Sequence, residues 1–152
     1  MALTLICNAF ANGGEIPKLF SCEGADLSPS LEWTGQPRET KSFALIVDDP
    51  DAPGGVWTHW LLWDIPTSVQ TLAQGFKPGQ VGQSGTNDFG KPGYGGPCPP
   101  KGHGPHRYFF RLYALGEAGL GAKAGAKRAD VDRALRSRVL AEAQYIGRYE
   151  RR

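Results

Sequence analysis

From Gly79 to Pro105 the chain holds no run suited to a helix or a strand, and this region ends in GGPCPPKGHGPHRY, from Gly95 to Tyr108. An irregular stretch of that length inside a compact domain usually serves a function. Gly lets the main chain approach closely and take φ > 0, so backbone N–H groups can converge on a ligand. Pro restricts the loop and lowers the entropy lost in holding a formed pocket. The same chemistry constrains the rest of the chain. With 21 Gly and 12 Pro among 152 residues, a β-rich, turn-rich fold is favoured over a helical bundle. On composition alone a plain surface turn is the favoured reading, and any further meaning rests on the strands around it.

The length suits one domain spanning residues 1–152, large enough to bury a core. A formal net charge of +2 gives no electrostatic case for nucleic acid or a membrane surface as partner. Basic residues gather in Lys123–Arg138 and Arg148–Arg152, which a solvated helix face explains. No apolar run approaches the length of a membrane span, and MALTLICNAF reads as a first strand, not a signal peptide. Cys7, Cys22 and Cys98 show no metal-ligand spacing, so reduced thiols and a cytoplasmic location are expected. A space-filling role suits Cys98, although its place in the Gly/Pro loop also allows an exposed, reactive thiol.

SFALIVDDP (Ser42–Pro50) predicts a buried strand, HWLLWDIP (His59–Pro66) a second and HRYFFRLYAL (His106–Leu115) a third. Ser68–Gly75 predicts a short helix with Ser as N-cap and Gly at its end. Asp130 is placed to cap a helix running through Ala143, with Val131, Leu135, Val139 and Leu140 at helical spacing. YIGRYE (Tyr145–Glu150) predicts a short closing strand. The expected class is mostly β, an antiparallel β-sandwich with one or two peripheral helices.

An antiparallel hairpin between the first two of these strands sets Asp49 beside His59 at one end of the sheet. Period-two alternation puts Asp49 with Phe43, Leu45 and Val47, and His59 with Leu61, Trp63 and Ile65. It puts His106 and Tyr108 with Phe110 and Leu112, and Arg107 with Arg111 on the other face. Two His and an Asp then meet at the rim of an apolar core, with Gly95–Gly104 as the lip. Each residue also has a plain explanation: a His at a strand start can be structural, DDPDAP can be turn formers, and Trp57, Trp60 and Trp63 can be packing. The joint arrangement is harder to reach by accident. Imidazole N–H, phenol O–H and loop amides are donors, which suits an anion such as phosphate. Asp49 would repel a dianion unless engaged with a cation or a His, and a ligand carrying phosphate and amine satisfies both signs. His59, His106 and a carboxylate could instead ligate Zn or Fe, but no HExxH or Cys pair supports that. The chain contains no G-x-S-x-G elbow, Walker loop or dinucleotide fingerprint, and Ser84 has no evident base.

Two long motifs in order make the chain resemble the phosphatidylethanolamine-binding protein family, in its bacterial and archaeal Raf kinase inhibitor-like branch. These are TKSFALIVDDPDAPGGVWTHWLLWDIP and GTNDFGKPGYGGPCPPKGHGPHRYFFRLYAL. GGEIP with LFSCEGADLSPSLEW resembles the opening of that branch, and ALRSRVLAEAQYIGRY its close. The resemblance implies a large antiparallel β-sandwich and an anion pocket formed by Asp49, Asp51, Pro53, His59, Pro100, His106 and Tyr108. It implies a non-enzymatic binding or regulatory protein without cofactor or metal, taking phosphoryl groups, phosphatidylethanolamine-like headgroups or other small anions. A kinase or protease partner and a homodimer are compatible with it. A metal-assisted phosphoester hydrolase at the same cluster is the alternative. Cys98 stands where many members carry a smaller residue, which leaves the pocket lip least defined.

Overall fold

A computed structural model describes residues 2–152. Strands β1 (Thr4–Ile6), β2 (Leu31–Thr34) and β5 (Thr71–Leu72) form a small sheet in the order β1-β2-β5. Strands β3 (Ser42–Asp49), β4 (Trp57–Pro66), β6 (Gln83–Ser84), β7 (His106–Leu115) and β8 (Val139–Tyr149) form the large sheet in the order β6-β4-β3-β7-β8. Every strand pairing is antiparallel. The single helix among the described residues is α1 (Arg128–Leu135), with a 3₁₀ turn at Lys18–Phe20.

The large sheet is covered on both faces. Phe43, Leu45, Val47, Trp60, Leu62, Phe110 and Leu112 pack against Leu5, Leu31, Trp33 and Leu72 of the small sheet. On the opposite face Ala44, Ile46, Leu61, Trp63 and Leu115 pack against Val131 and Leu135 of α1. Every residue of the central strand β3 is therefore buried. Burial on both faces is why its sequence is a continuous apolar run and not an alternating one.

Two register shifts in the β3–β4 pairing alter the expected faces of β4. Val47 pairs with Trp60 but Asp48 with Thr58, so His59 is an extra residue on β4. Phe43 pairs with Ile65 but Leu45 with Leu62, and within that second bulge Asp64 takes a left-handed φ of 56°. A bulge leaves two residues opposite one and re-aims the side chains beyond it. Leu61 and Trp63 consequently face α1, whereas His59, Trp60, Leu62 and Ile65 face the sandwich interior or its rim. The expected grouping of His59 with Leu61 and Trp63 is thus corrected.

Two predicted helices also differ. Ser68–Gly75 forms a turn and then β5, where Leu72 is buried opposite Leu31. The helix expected from Asp130 to Ala143 spans Arg128–Leu135 and stops before Ser137, which has a φ of 67°. Val139–Ala143 instead opens β8, paired with Leu112–Leu115 of β7, and the closing strand expected at Tyr145–Glu150 is the far end of β8. In both places ladder pairing outweighs the local helical pattern, in Leu140–Gln144 even against residues of high helix propensity.

Candidate functional site

Because β3 lies between β4 and β7, the end of β3 meets the starts of both neighbours. These ends surround a cavity of about 200 Å³. Asp49, His59, His106 and Tyr108 supply its polar wall, Pro53, Trp57 and Phe89 an apolar side, and Cys98, Pro99 and Pro100 the lip.

The polar wall is tightly specified. The Asp49 carboxylate accepts from the Asp51 backbone N–H at 2.8 Å and from His106 Nδ1 at 2.7 Å. Asp49 and His106 are 3% and 2% exposed, so this hydrogen bond is shielded from water. His106 Nε2 lies 2.7 Å from Nδ1 of His103, an exposed residue of the lip. A carbonyl oxygen can only accept, so the 2.7 Å contact between His59 Nδ1 and Gly95 O puts the ring hydrogen on Nδ1. Burial, only partly offset by that carbonyl and by Asp49, pushes the His59 pKa down. His59 is therefore neutral near pH 7 and offers Nε2 as an acceptor, not the donor expected from its composition. The Tyr108 ring stands edge-on to His59 at 5.1 Å, and its buried hydroxyl has no hydrogen-bond partner. Burial, reinforced by the Asp49 charge, holds that phenol protonated well above its ordinary range.

The irregular region is fixed by side chains closing onto backbone. Asn87 accepts from the N–H groups of Phe89 and Lys91 and donates to Gly93 O, which presents Phe89 to the cavity. Phe89 meets the rings of Trp57 and His59 at 5.5 Å and 5.3 Å. The lip is tied to the N-terminal segment by Tyr94 Oη donating to Phe20 O, Gly96 N to Asp26 Oδ1, and Cys22 N to Pro97 O. A Cβ at Gly96 would overlap Phe20 O and the Asp26 carboxylate, so this backbone approach requires glycine. Gly96→Ala should destabilise the fold by about 1–3 kcal/mol, read as a lowered midpoint in urea unfolding. An unchanged midpoint would mean that the lip is not seated on Phe20.

Cys98 corrects the expectation of reduced thiols, because it forms a disulfide with Cys22 across a sequence separation of 76. The lip and the N-terminal segment meet in space, bringing the two Cα atoms to 5.4 Å, which sequence spacing could not show. Cys7 alone remains a thiol, buried in the core with its pKa raised by that burial.

Of the residues implied by resemblance, Asp49, Pro53, His59, Pro100, His106 and Tyr108 line one cavity. Asp51 does not. Its carboxylate turns outward to accept from Arg107 N, Nε and a terminal guanidinium nitrogen, each at 2.9 Å. Those bonds hold its pKa down at about 2. Its place is to brace the β3–β4 turn against β7. Trp57, two residues before His59, packs at the rim against Phe89 and also forms part of the cavity wall. Phe89 carried no signal, since it sits in a stretch without periodicity.

A family model described as phosphatidylethanolamine-binding protein matches residues 7–150. A UPF0098 protein of Aquifex aeolicus is 49% identical, with the match covering 98% of this chain and 89% of that protein. The crystal structure of Escherichia coli YbcL, described as a member of the mammalian PEBP family, superposes with a TM-score of 0.92 at 36% identity and full coverage of both chains. A phosphatidylethanolamine-binding protein homologue of Chlamydia trachomatis gives a TM-score of 0.91 at 38% identity, covering 99% of each chain. Carboxypeptidase Y inhibitor, at 19% identity and a TM-score of 0.60, shares the fold. Fold, motif order and relatives together place this chain in the phosphatidylethanolamine-binding protein family.

Proposed function

We propose that this protein is a non-enzymatic binding protein whose cavity at the β3, β4 and β7 ends takes a small phosphorylated or otherwise anionic ligand. The observation that carries this reading is a preformed cavity whose wall brings together Asp49, His59, His106 and the Tyr108 hydroxyl, a buried donor with no well-formed hydrogen bond and only the Asp49 carboxylate near it as acceptor. A buried polar group left unpaired costs free energy that a ligand oxygen would recover. Asp49 and His59 Nε2 are acceptors, so the best ligand also brings a donor. A phosphate monoester bearing an amine, such as O-phosphorylethanolamine, meets both demands. The lining holds no Ser, Thr or free Cys, which leaves covalent catalysis without its commonest nucleophiles.

Isothermal titration should show wild-type protein binding O-phosphorylethanolamine more tightly than inorganic phosphate, with His106→Ala abolishing both. No binding across a panel of phosphate, acetate and phosphomonoesters would overturn the reading. Metal-assisted phosphoester hydrolysis has no observation in its favour. No group of three ligating side chains is poised for a metal among the described residues. Stoichiometric metal with chelator-sensitive phosphoesterase activity would reverse that ranking.

In the regulatory form of this reading, a kinase or protease partner would meet the exposed rim of Trp57 and Phe89. No helix among the described residues is long and apolar enough to cross a membrane. The cytoplasmic expectation rested on reduced thiols, and the Cys22–Cys98 bond removes that support, since disulfides persist mainly in oxidising compartments.

A further inference from the structure

We propose that His103 is a displaceable cap on the pocket, a specificity residue that occupies the one atom of His106 able to meet a ligand. This inference rests on the anion-binding reading above. The Asp49 carboxylate faces His106 Nδ1 at 2.7 Å, so that nitrogen carries a hydrogen and is committed to that hydrogen bond. Only Nε2 is left, and His103 Nδ1 lies 2.7 Å from it. An anion oxygen cannot take Nε2 until His103 leaves.

The lip is arranged so that His103 can leave. His103 is exposed, whereas His106 is buried. It stands between Gly102 and Gly104, at φ 74° and 85°, and a Cβ at either glycine would meet nothing within 4 Å. The backbone around it is anchored by Gly102 N donating to Arg151 O and His103 N to Pro100 O. Rotation of the side chain alone therefore clears Nε2, at the cost of one imidazole–imidazole hydrogen bond and the ring contact at 4.9 Å. His103 keeps its own hydrogen as it leaves, and a proton taken up from solvent together with the anion fills His106 Nε2, which donates it to the incoming oxygen.

This arrangement selects ligands. An oxyanion gains a charge-assisted bond stronger than the one it displaces. A neutral alcohol or amide gains about what it displaces and so wins no net affinity from this atom. The cap also lowers apparent affinity by the fraction of molecules in which it is closed.

The test compares wild type, His103→Ala and His103→Asn by isothermal titration with inorganic phosphate, with histidine ring ¹⁵N–¹H correlation spectra of the wild type. Loss of one neutral hydrogen bond to be broken predicts phosphate binding about three- to tenfold tighter in both variants. The His103 ring nitrogens of the wild type should move to the shifts of a free imidazole at saturating phosphate. Equal or weaker binding in the variants, or His103 signals unmoved by saturating phosphate, would overturn the cap and leave the anion pocket standing. Binding in the variants with none in wild type would support a fully closed cap. Binding by none of the three proteins would overturn the cap and the pocket together. Thermal unfolding of each variant checks the fold, and a fall in midpoint with weaker binding counts against the cap as a structural role for His103.

Discussion

Replacing Cys22 and Cys98 together by Ala should lower stability by about 4 kcal/mol, the loop-entropy expectation for a cross-link closing a chain segment of this length. The bond joins residues 76 apart, so most of the large sheet's first half lies inside the closed loop. For a domain of this size the thermal midpoint should fall by roughly 10 °C. Reduction of the wild type should reproduce the effect, because Cys22 is exposed and Cys98 half-buried, within reach of a reductant. The pocket should suffer less than the fold. Three hydrogen bonds, from Tyr94, Gly96 and Cys22, hold the lip to Phe20–Asp26 independently of the sulfur bridge. Phosphate affinity of the double variant, measured well below its unfolding temperature, should therefore change less than threefold, an effect smaller than one hydrogen bond. An unchanged midpoint would show that the unfolded chain gains no freedom when the bond is lost. A collapse of binding with the fold intact would show that the disulfide, and not the hydrogen bonds, forms the lip.

The strands that carry the site were legible because punctuation and burial agree there. Pro105 and Gly116 bracket β7, and its alternation places His106, Tyr108, Phe110 and Leu112 inward with Arg107 and Arg111 outward. β3 ends at the Asp-Pro turn its sequence marks. β4 was legible in extent but not in facing, because bulges at His59 and Asp64 leave no trace in a run already apolar on both faces. The helix expected through Ala143 followed a real helical spacing of apolar residues. Two of them, Val139 and Leu140, are exposed on β8, so their spacing reports no packed face. Tertiary pairing with β7 decided that segment. The disulfide and Phe89 depend on contacts between distant parts of the chain, for which no local pattern exists. Asp51 shows the limit of motif transfer: the two carboxylates of DPDAP, separated by Pro50, go to opposite sides of the turn, one to His106 and one to Arg107.

Asp49→Ala should be the most damaging single substitution in the site, costing about 3–5 kcal/mol through the loss of two hydrogen bonds to a buried carboxylate, and abolishing phosphate binding. Both members of the Asp49–His106 pair are nearly inaccessible, so truncating the carboxylate strands an imidazole that no other protein acceptor reaches at Nδ1. It also removes the acceptor for Asp51 N, loosening the turn that carries Pro53. Without that carboxylate nothing fixes a hydrogen on Nδ1 or supports a positive charge on the ring, and Nε2 loses its value as a donor to an anion. Asp49→Asn separates these roles. His106 Nδ1 bonds Oδ2 and Asp51 N bonds Oδ1, so the single amide oxygen keeps one of the two bonds, and the fold should lose less stability than in Asp49→Ala. The supporting charge is gone, so phosphate should bind at least tenfold more weakly, as expected when a charge-assisted bond of about 1.5–3 kcal/mol is reduced to a neutral one. Urea unfolding and titration calorimetry on the two variants read the two roles separately. If Asp49→Asn bound phosphate as the wild type does, the carboxylate would be a structural brace alone, and ligand affinity would have to come from Tyr108 and the lip.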